Sequence, residues 1–392
     1  MLELIVLGSG PSGGLPQLGC LTRPSDAPYE RCRCCESTRE ETADDIAAGG
    51  RKNQRGNTSC VVRKTWDDGT QSCVMIDCGK TFARDACEWF PKHGLRRIDA
   101  VILSHDHADG MSIHVSLHIQ FTLVRAAILG LDDLRMFTRP KLKEGNDAIQ
   151  DHLDVYCEAK TLAVIKERFP YLVSFDAVRG FTSVADMVFH VIEPGRQHVI
   201  AGIKILPLEV QHGFSVVSAS DSLGVDLNVG PTRTEPYMTL AFLIEDDILW
   251  MTDASIIPRK TWDILHHGLD KEIKHPRRRL SLAFIDLSEI YPLRAHLSVR
   301  TFLEVVEKLF AVRTYAIGMN HTLCHGEIEA LGEEVQGIRQ KGREDAFLDQ
   351  VLRGEEKIED APVWSSLKQK VPWFRPCYDG MAVRVEEQQQ SE

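Results

Sequence analysis

Residues 103–110 read LSHDHADG, and their types and spacing could hold metal. His105 and His107 flank a single residue, and two imidazoles so placed can grip one ion through their ring nitrogens. Asp109 offers a hard oxygen to a neighbouring ion. Three more side chains of the right chemistry stand just beyond apolar runs: His212 after IKILPLEVQ, Asp253 after ILWMT and His321 after YAIGMN. His212 would complete the first site, Asp253 could bridge, and His321 could serve the second. Two ions about 3.5–4 Å apart would acidify a shared water and clamp both sides of an in-line displacement at phosphorus. Each of these residues alone is more simply a surface or packing residue. Their joint order, H-x-H-x-D and then His, Asp and His, is what points to a metal centre. The usual motif continues to a further His, and Gly110 stands there instead.

A second cluster is built from sulfur. Four of the eleven cysteines fall between residues 20 and 35, at Cys20 and in the run CRCC. Cys32 and Cys35 form a C-x-x-C of the spacing zinc accepts, and Cys34 could replace Cys35. The plainer alternative is a set of free buried thiols, which are common. A redox C-x-x-C is weaker, because no strand-then-helix context surrounds it. An odd cysteine count and an N-terminus without a basic leader or cleavage site argue for a reducing compartment, the cytosol, with the nucleus left open.

The elements that must position these residues follow from pattern and length. The chain has 392 residues, 43% hydrophobic and 26% charged, with a net charge of −11. That is a globular composition with no apolar run long enough to span a membrane. The acidic balance argues against an extended nucleic-acid surface, though a local basic pocket remains compatible with it. LELIVLG predicts a strand running into a Gly-rich turn, at the edge of a sheet. TSCVVRK and SCVMIDCG predict a hairpin around a D-G turn. IDAVILSHDH, IKILPLEVQHG, LSLAFIDLS and RTYAIGMNHT predict strands ending near the polar residues above. DVYCEAKTLAVIKERFP reads as a strand and a helix stopped at Pro170, and TLAFLIEDDILWMTDAS as a hairpin. SVRTFLEVVEKLF predicts an amphipathic helix with Val299, Phe302, Leu303, Val306 and Phe310 on one face. Residues 36–56 read as a surface loop or short helix, and 215–236 as a loop beside His212. The layout is one domain over 1–385, with a polar, disordered tail at 386–392.

From LIVLGSGPSGGLPQLGC through IDCG, LSHDHADG, LEVQHG, WMTDAS and GMNHT, the chain resembles the metallo-β-lactamase fold hydrolases. Its G-S-G-x-S-x-G-x-P opening, added cysteines and AHLSVRTFLE resemble most the phosphoribosyl 1,2-cyclic phosphate phosphodiesterase group and its eukaryotic relatives. The resemblance implies an α/β four-layer αββα sandwich with two divalent ions, zinc or manganese, in a cleft. It implies His105, His107 and His212 on one ion, Asp109 and His321 on the other, and Asp253 between them. Asp77 would orient the H-x-H-x-D loop, and His296 would contact phosphate or protonate the leaving oxygen. A separate structural zinc would sit on Cys20, Cys32, Cys35 and His325.

Removing residues 110–126 leaves HDHADAILGLDDLR, which fits the relatives' pattern without a break. The missing His would then correspond to Ala127, and Asp132 or Asp133 could lend the second ion a carboxylate. The seventeen residues are an insertion or an unspliced intron: a G|GTATG at Gly110–Met111 and an AG ending in the Ala127 codon would serve in one phase. Genomic and transcript sequences decide this. The segment alternates as a half-buried strand would, with His114 and His118 on its polar face.

The function that follows is a metal-dependent hydrolase, a phosphodiesterase acting on a small cyclic phosphate or nucleotide-like ester through a metal-bound hydroxide. The alternatives in this fold are a tRNA 3′-end-processing endonuclease, which needs a basic arm not seen here, and a thioester or lactone hydrolase. A different class is a non-catalytic zinc-binding scaffold with a degenerate cleft. The expected partner is a small phosphate ester, and a homodimer is implied by resemblance alone.

Overall fold

A computed structural model describes the chain except residues 29, 107–127, 139–148, 174–185, 218–232, 270–278, 340–344, 354–356 and 386–392. The apolar runs form strands, numbered here in chain order. The first six are β1 Leu2–Gly8, β2 Ser59–Thr65, β3 Gln71–Ile76, β4 Ala100–Ile102, β5 Leu153–Cys157 and β6 Met187–Val191. Then follow β7 His198–Ile200, β8 Ile203–Val217, β9 Arg233–Ile244, β10 Ile248–Met251, β11 Leu282–Asp286, β12 Arg313–Ile317, β13 Phe374–Pro376 and β14 Ala382–Val385. They make two seven-stranded sheets, β14-β1-β2-β3-β4-β5-β6 and β13-β12-β11-β10-β9-β8-β7.

Each sheet has the same internal plan. In the first, β14, β1, β2 and β3 pair antiparallel, and β4, β5 and β6 join in parallel. In the second, β7 to β10 pair antiparallel, and β11, β12 and β13 join in parallel. Parallel neighbours end on the same side of a sheet, so the loops that follow them gather along one rim.

Burial explains the layering. Leu4, Val62, Val74 and Ile102 of the first sheet face Phe242, Trp250 and Phe284 of the second in one buried cluster. The outer face of the first sheet is covered by the helices Phe82–His93 and Ala159–Arg168, through Phe82, Ala86, Phe90 and Ile165. The outer face of the second is covered by Val299–Leu309, His325–Gln336 and Pro362–Lys370, among others. Removing these apolar faces from water is the main force holding the layers together. The αββα order that the resemblance implies is therefore the one found.

Several local expectations change. β1 is not an edge strand, because β14 returns from the far end of the chain to pair with it. Pairings made across nearly the whole sequence leave no local signal. β8 does not stop at His212 but runs to Val217, and β9 begins at Arg233, so the ends of 215–236 are strand. Residues 36–56 carry the ends of a short helix at Arg33–Ser37, a helix at Ala43–Ala48 and a 3₁₀ turn at Gly50–Asn53. Phe310 caps the helix Val299–Leu309 in the left-handed conformation instead of extending its face. Residues 110–126 lie outside the described residues, as does the tail 386–392.

A half-buried carboxylate ties the Gly-rich opening turn to the core. Asp379 accepts hydrogen bonds from Ser9 N (2.8 Å), Ser9 Oγ (2.7 Å) and Gly56 N (2.6 Å). Ser9 in turn accepts from Gly318 N at 2.9 Å, just beyond β12. Burial, aided by the Asp85 charge, pushes the Asp379 carboxyl up to about 7, against the pull of its hydrogen bonds. An unfolded Asp ionises near 3.9. The folded chain therefore holds the Asp379 proton over a window the unfolded chain does not, and stability from this group falls as pH rises from about 4 to about 7. Asp379→Asn should flatten that fall. Urea unfolding of both chains across the window is the check, and parallel curves would refute the assignment.

Candidate functional site

The first cluster forms where the two sheets meet at the rim. His105 follows β4, His212 lies within β8, and Asp253 follows β10. One ligand atom from each of these three residues lies within 4.8 Å of the others. The rings of His105 and His212 stand edge to face, with centroids 5.5 Å apart.

His105 is oriented from behind. Asp77, buried just after β3, accepts from Ser104 N (2.7 Å) and from Ser104 Oγ (2.8 Å). Ser104 Oγ spends its one proton on that carboxylate, so at 2.8 Å it accepts from His105 Nδ1. Asp77 is thus linked to His105 through Ser104. It adopts a left-handed backbone at φ 61°, and Asp253 does so at φ 51°. Such conformations are strained for residues other than glycine and concentrate at functional sites.

His212 is positioned by an irregularity. The register between β8 and β9 shifts between Gln211 and Phe214. Gly213 takes φ 69°, and a Cβ there would lie 3.3 Å from the Ala295 Cβ. The close approach lets His212 Nδ1 donate to the Ala295 carbonyl at 2.8 Å. The same bulge is stitched to the Asp253 loop: Ser255 N and Ser255 Oγ both donate to Gln211 O, at 2.7 and 3.0 Å. Gly213 N donates to Ser255 Oγ at 3.1 Å.

The cluster's donor set fits a divalent ion. With Nδ1 of both imidazoles acting as donors to oxygen, each Nε2 carries the lone pair that ligation requires. Asp253 adds a carboxylate. His107 and Asp109 lie outside the described residues, so the structure neither adds them to this group nor removes them. Asp132 pairs with Arg135 at 3.1 Å, and neither it nor Asp133 joins the group.

His296 lies beside the cluster, its ring centroid 4.8 Å from that of His212. Asp286, at the end of β11, holds His296 Nδ1 at 3.1 Å and accepts from Leu297 N at 2.8 Å. With Nδ1 held, any proton His296 transfers passes through Nε2. Tyr237 of β9 stands edge-on to both His105 and His212, and its hydroxyl donates to Asp106. Asp286 and Tyr237 were not legible as site residues. Asp286 is one more polar strand end, and that signal could have found it. Tyr237 carries no motif.

The sulfur cluster also assembles, with a different histidine. Ligand atoms of Cys20, Cys32, Cys35 and His321 lie within 4.8 Å of one another. His321 Nδ1 is 3.4 Å from Cys32 Sγ and 3.5 Å from Cys20 Sγ. His321 is thus grouped with the cysteines and not with His105, His212 and Asp253, and His325 is not in the group. The reason is local geometry. His325 opens the helix His325–Gln336, and its backbone N–H is taken by Asn53 Oδ1 at 2.8 Å. Its ring lies edge to face with Tyr378 at 5.7 Å, and burial holds it well below the usual imidazole range. His321 sits in the loop before that helix, facing the cysteines. Cys34 contacts Cys324 instead of replacing Cys35. Hydrogen bonding from Cys35, reinforced by His321, draws the Cys32 thiol down to about 4. Three sulfurs and an imidazole are a common closed zinc set.

Arg55 holds that loop in place. It is fully buried, and Nη1 donates to the carbonyls of Met319 (2.9 Å), Asn320 (3.3 Å) and Leu323 (3.2 Å). Nη2 donates to Leu323 O (3.1 Å) and Asn53 Oδ1 (2.8 Å). No sequence signal separated Arg55 from any other arginine.

These placements predict a metal count. His321→Ala should lose one tightly bound equivalent of zinc per chain, and His325→Ala should keep it. Elemental analysis of both purified chains is the measurement, and the reverse pattern would restore His325 as the ligand.

The two sheets, their helical covers and the His–Asp cluster on the shared rim define the class: the chain has the metallo-β-lactamase fold. Among solved structures it is similar to a diphosphatase from the PhnP family, with a TM-score of 0.57 and 21% identity over 98% of both chains. It is also similar to the metallo-β-lactamase fold protein YhfI from Bacillus subtilis, with a TM-score of 0.49 and 10% identity over 98% of this chain and 100% of that one. A curated protein, an octanoyltransferase of Porphyromonas gingivalis, is 27% identical over 212 residues. That match covers 54% of this chain and 31% of the relative, so the chain spans about a third of that protein's length. No protein-family profile matches the chain. Among the described residues, no helix is long and apolar enough to cross a membrane.

Proposed function

We propose that the chain is a metal-dependent hydrolase, and that its substrate is a small phosphodiester such as a cyclic phosphate or nucleotide-like ester. One observation carries the reading: two Nδ1-anchored imidazoles and a carboxylate converge, with a carboxylate-held histidine alongside. That group would hold a divalent ion, zinc or manganese, which when bound would supply Lewis-acid stabilisation of charge developing on a phosphoryl oxygen. The chain's own residues do the rest. His105 and His212 are held rigidly by Ser104 and by the Ala295 carbonyl, so the ion's position is preorganised. His296 delivers a proton through Nε2 to the departing oxygen, and Asp286 keeps its tautomer and orientation. Tyr237 closes one wall against both ligand imidazoles and keeps Asp106 turned toward its hydroxyl. A zinc held by Cys20, Cys32, Cys35 and His321 would stabilise the fold away from the chemistry.

The test is turnover of bis-p-nitrophenyl phosphate by the metal-loaded chain, with metals counted, for the full chain and for one lacking residues 110–126. Metal-dependent release of p-nitrophenol supports the phosphodiesterase reading. If neither form turns over and both hold a single zinc, the chain is a zinc-bearing scaffold and the proposal fails.

A further inference from the structure

The edges of the two sheets that carry β13 and β14 flank a groove of about 600 Å³. It is separate from the His105–His212–Asp253 cluster, and no residue is shared between the two. Its size lies in the usual range for small-ligand sites.

The lining has an unusual charge. Lys52, Arg313, Arg375 and Arg384 face two carboxylates, Glu3 and Glu329. Glu3 is already committed, since Arg63 and Arg384 both bond to it. Arg313 donates to a neutral acceptor, the Arg384 carbonyl, at 2.8 Å. Arg375 donates to the Phe374 carbonyl and to Gln336 Oε1, each at 2.7 Å. The ammonium of Lys52 lies 5.2 Å from the Tyr378 ring centroid. Lys52, Arg313 and Arg375 therefore line one groove against neutral partners, with Glu329 the carboxylate beside them, in a chain whose net charge is −11. Converging guanidinium groups are suited to phosphate, which they meet in bidentate fashion.

The same groove carries flat rings. Tyr315, Trp373 and Tyr378 line it. Trp373 stands edge-on to Tyr315 at 5.3 Å, and the Arg375 guanidinium lies 5.3 Å from the Trp373 centroid. Aromatic and guanidinium planes together accept a stacked heterocyclic base.

We infer that this groove is a second ligand site that takes a free mononucleotide, with base against the rings and phosphate against Lys52, Arg313 and Arg375. The inference does not rest on hydrolysis in the cleft.

The probe is N-methylanthraniloyl-ADP, titrated by fluorescence anisotropy against the full chain. Saturable, salt-sensitive binding is expected. Lys52→Glu, at an exposed position that folding tolerates, and Trp373→Leu should each weaken it by about tenfold or more, the worth of one charged or stacking contact. His212→Ala should leave it unchanged. The inference would be overturned by binding abolished by His212→Ala, by binding indifferent to both groove variants, or by no binding at about millimolar probe. Tighter binding of a four-nucleotide single strand than of the mononucleotide would replace the free nucleotide by a strand end, and so also overturn it.

Discussion

A His212→Ala chain is expected to hydrolyse bis-p-nitrophenyl phosphate at least about a thousandfold more slowly than wild type, with its circular-dichroism spectrum unchanged. Stabilisation of developing phosphoryl charge by a bound ion is worth several kcal/mol, and each 1.36 kcal/mol is tenfold in rate. His212 supplies one of the two described imidazoles in the cluster. Its Nδ1 donates to the Ala295 carbonyl, while the backbone of β8 makes the pairing with β9, so removal of the ring leaves the strand pairing intact. His296→Ala gives the companion measurement. On a phosphodiester with an alkoxide leaving group, which needs a proton as p-nitrophenolate does not, it should slow turnover by about 10²–10⁴-fold, the usual worth of general acid catalysis, without changing metal content. Metal analysis therefore separates the two residues: cleft metal is lost in the first variant and kept in the second. Equal rates for His212→Ala and wild type would remove this cluster from the chemistry altogether.

The second large effect falls on stability. Arg55→Met should destabilise the fold by about 3–5 kcal/mol, since each buried acceptor left unsatisfied costs about 1–3 kcal/mol. Five hydrogen bonds leave with the guanidinium, and four of them end on carbonyls of the loop Met319–Leu323. Met fills similar volume but cannot satisfy those oxygens, most of which are buried. The charge matters too. Arg55 lies among thiols, and it helps draw down Cys34, whose main influence is the hydrogen bond with Cys324. A positive side chain without a carboxylate partner among the described residues is offset by the sulfur-rich cluster it supports. The stated loss would consume much of a typical domain's margin. Urea unfolding of the variant decides it, and a shift below about 1 kcal/mol would show that the loop holds itself.

Much of this was visible before any coordinates. Strand runs such as ILWM and LAFID follow from continuous apolar stretches, and the helix Val299–Leu309 from a 3.6-residue period. The order His105, His212, Asp253 is carried by residues that terminate or interrupt those strands, so motif and element could be read together.

What local pattern could not decide is which histidine meets which partner. His321 and His325 lie four residues apart in GMNHTLCHGE, and both have the chemistry to bind zinc. Only the start of a helix at His325, and the grip of Arg55 on the loop before it, turn one toward sulfur and the other toward Tyr378. Tyr237 reaches Asp106 across 131 residues, and Arg55 reaches Leu323 across 268. The chain's local periodicity determined the strands, the helices and the list of residues able to bind metal. The packing of two sheets determined the groupings, because the contacts that make them join residues whose sequence neighbours carry no trace of one another.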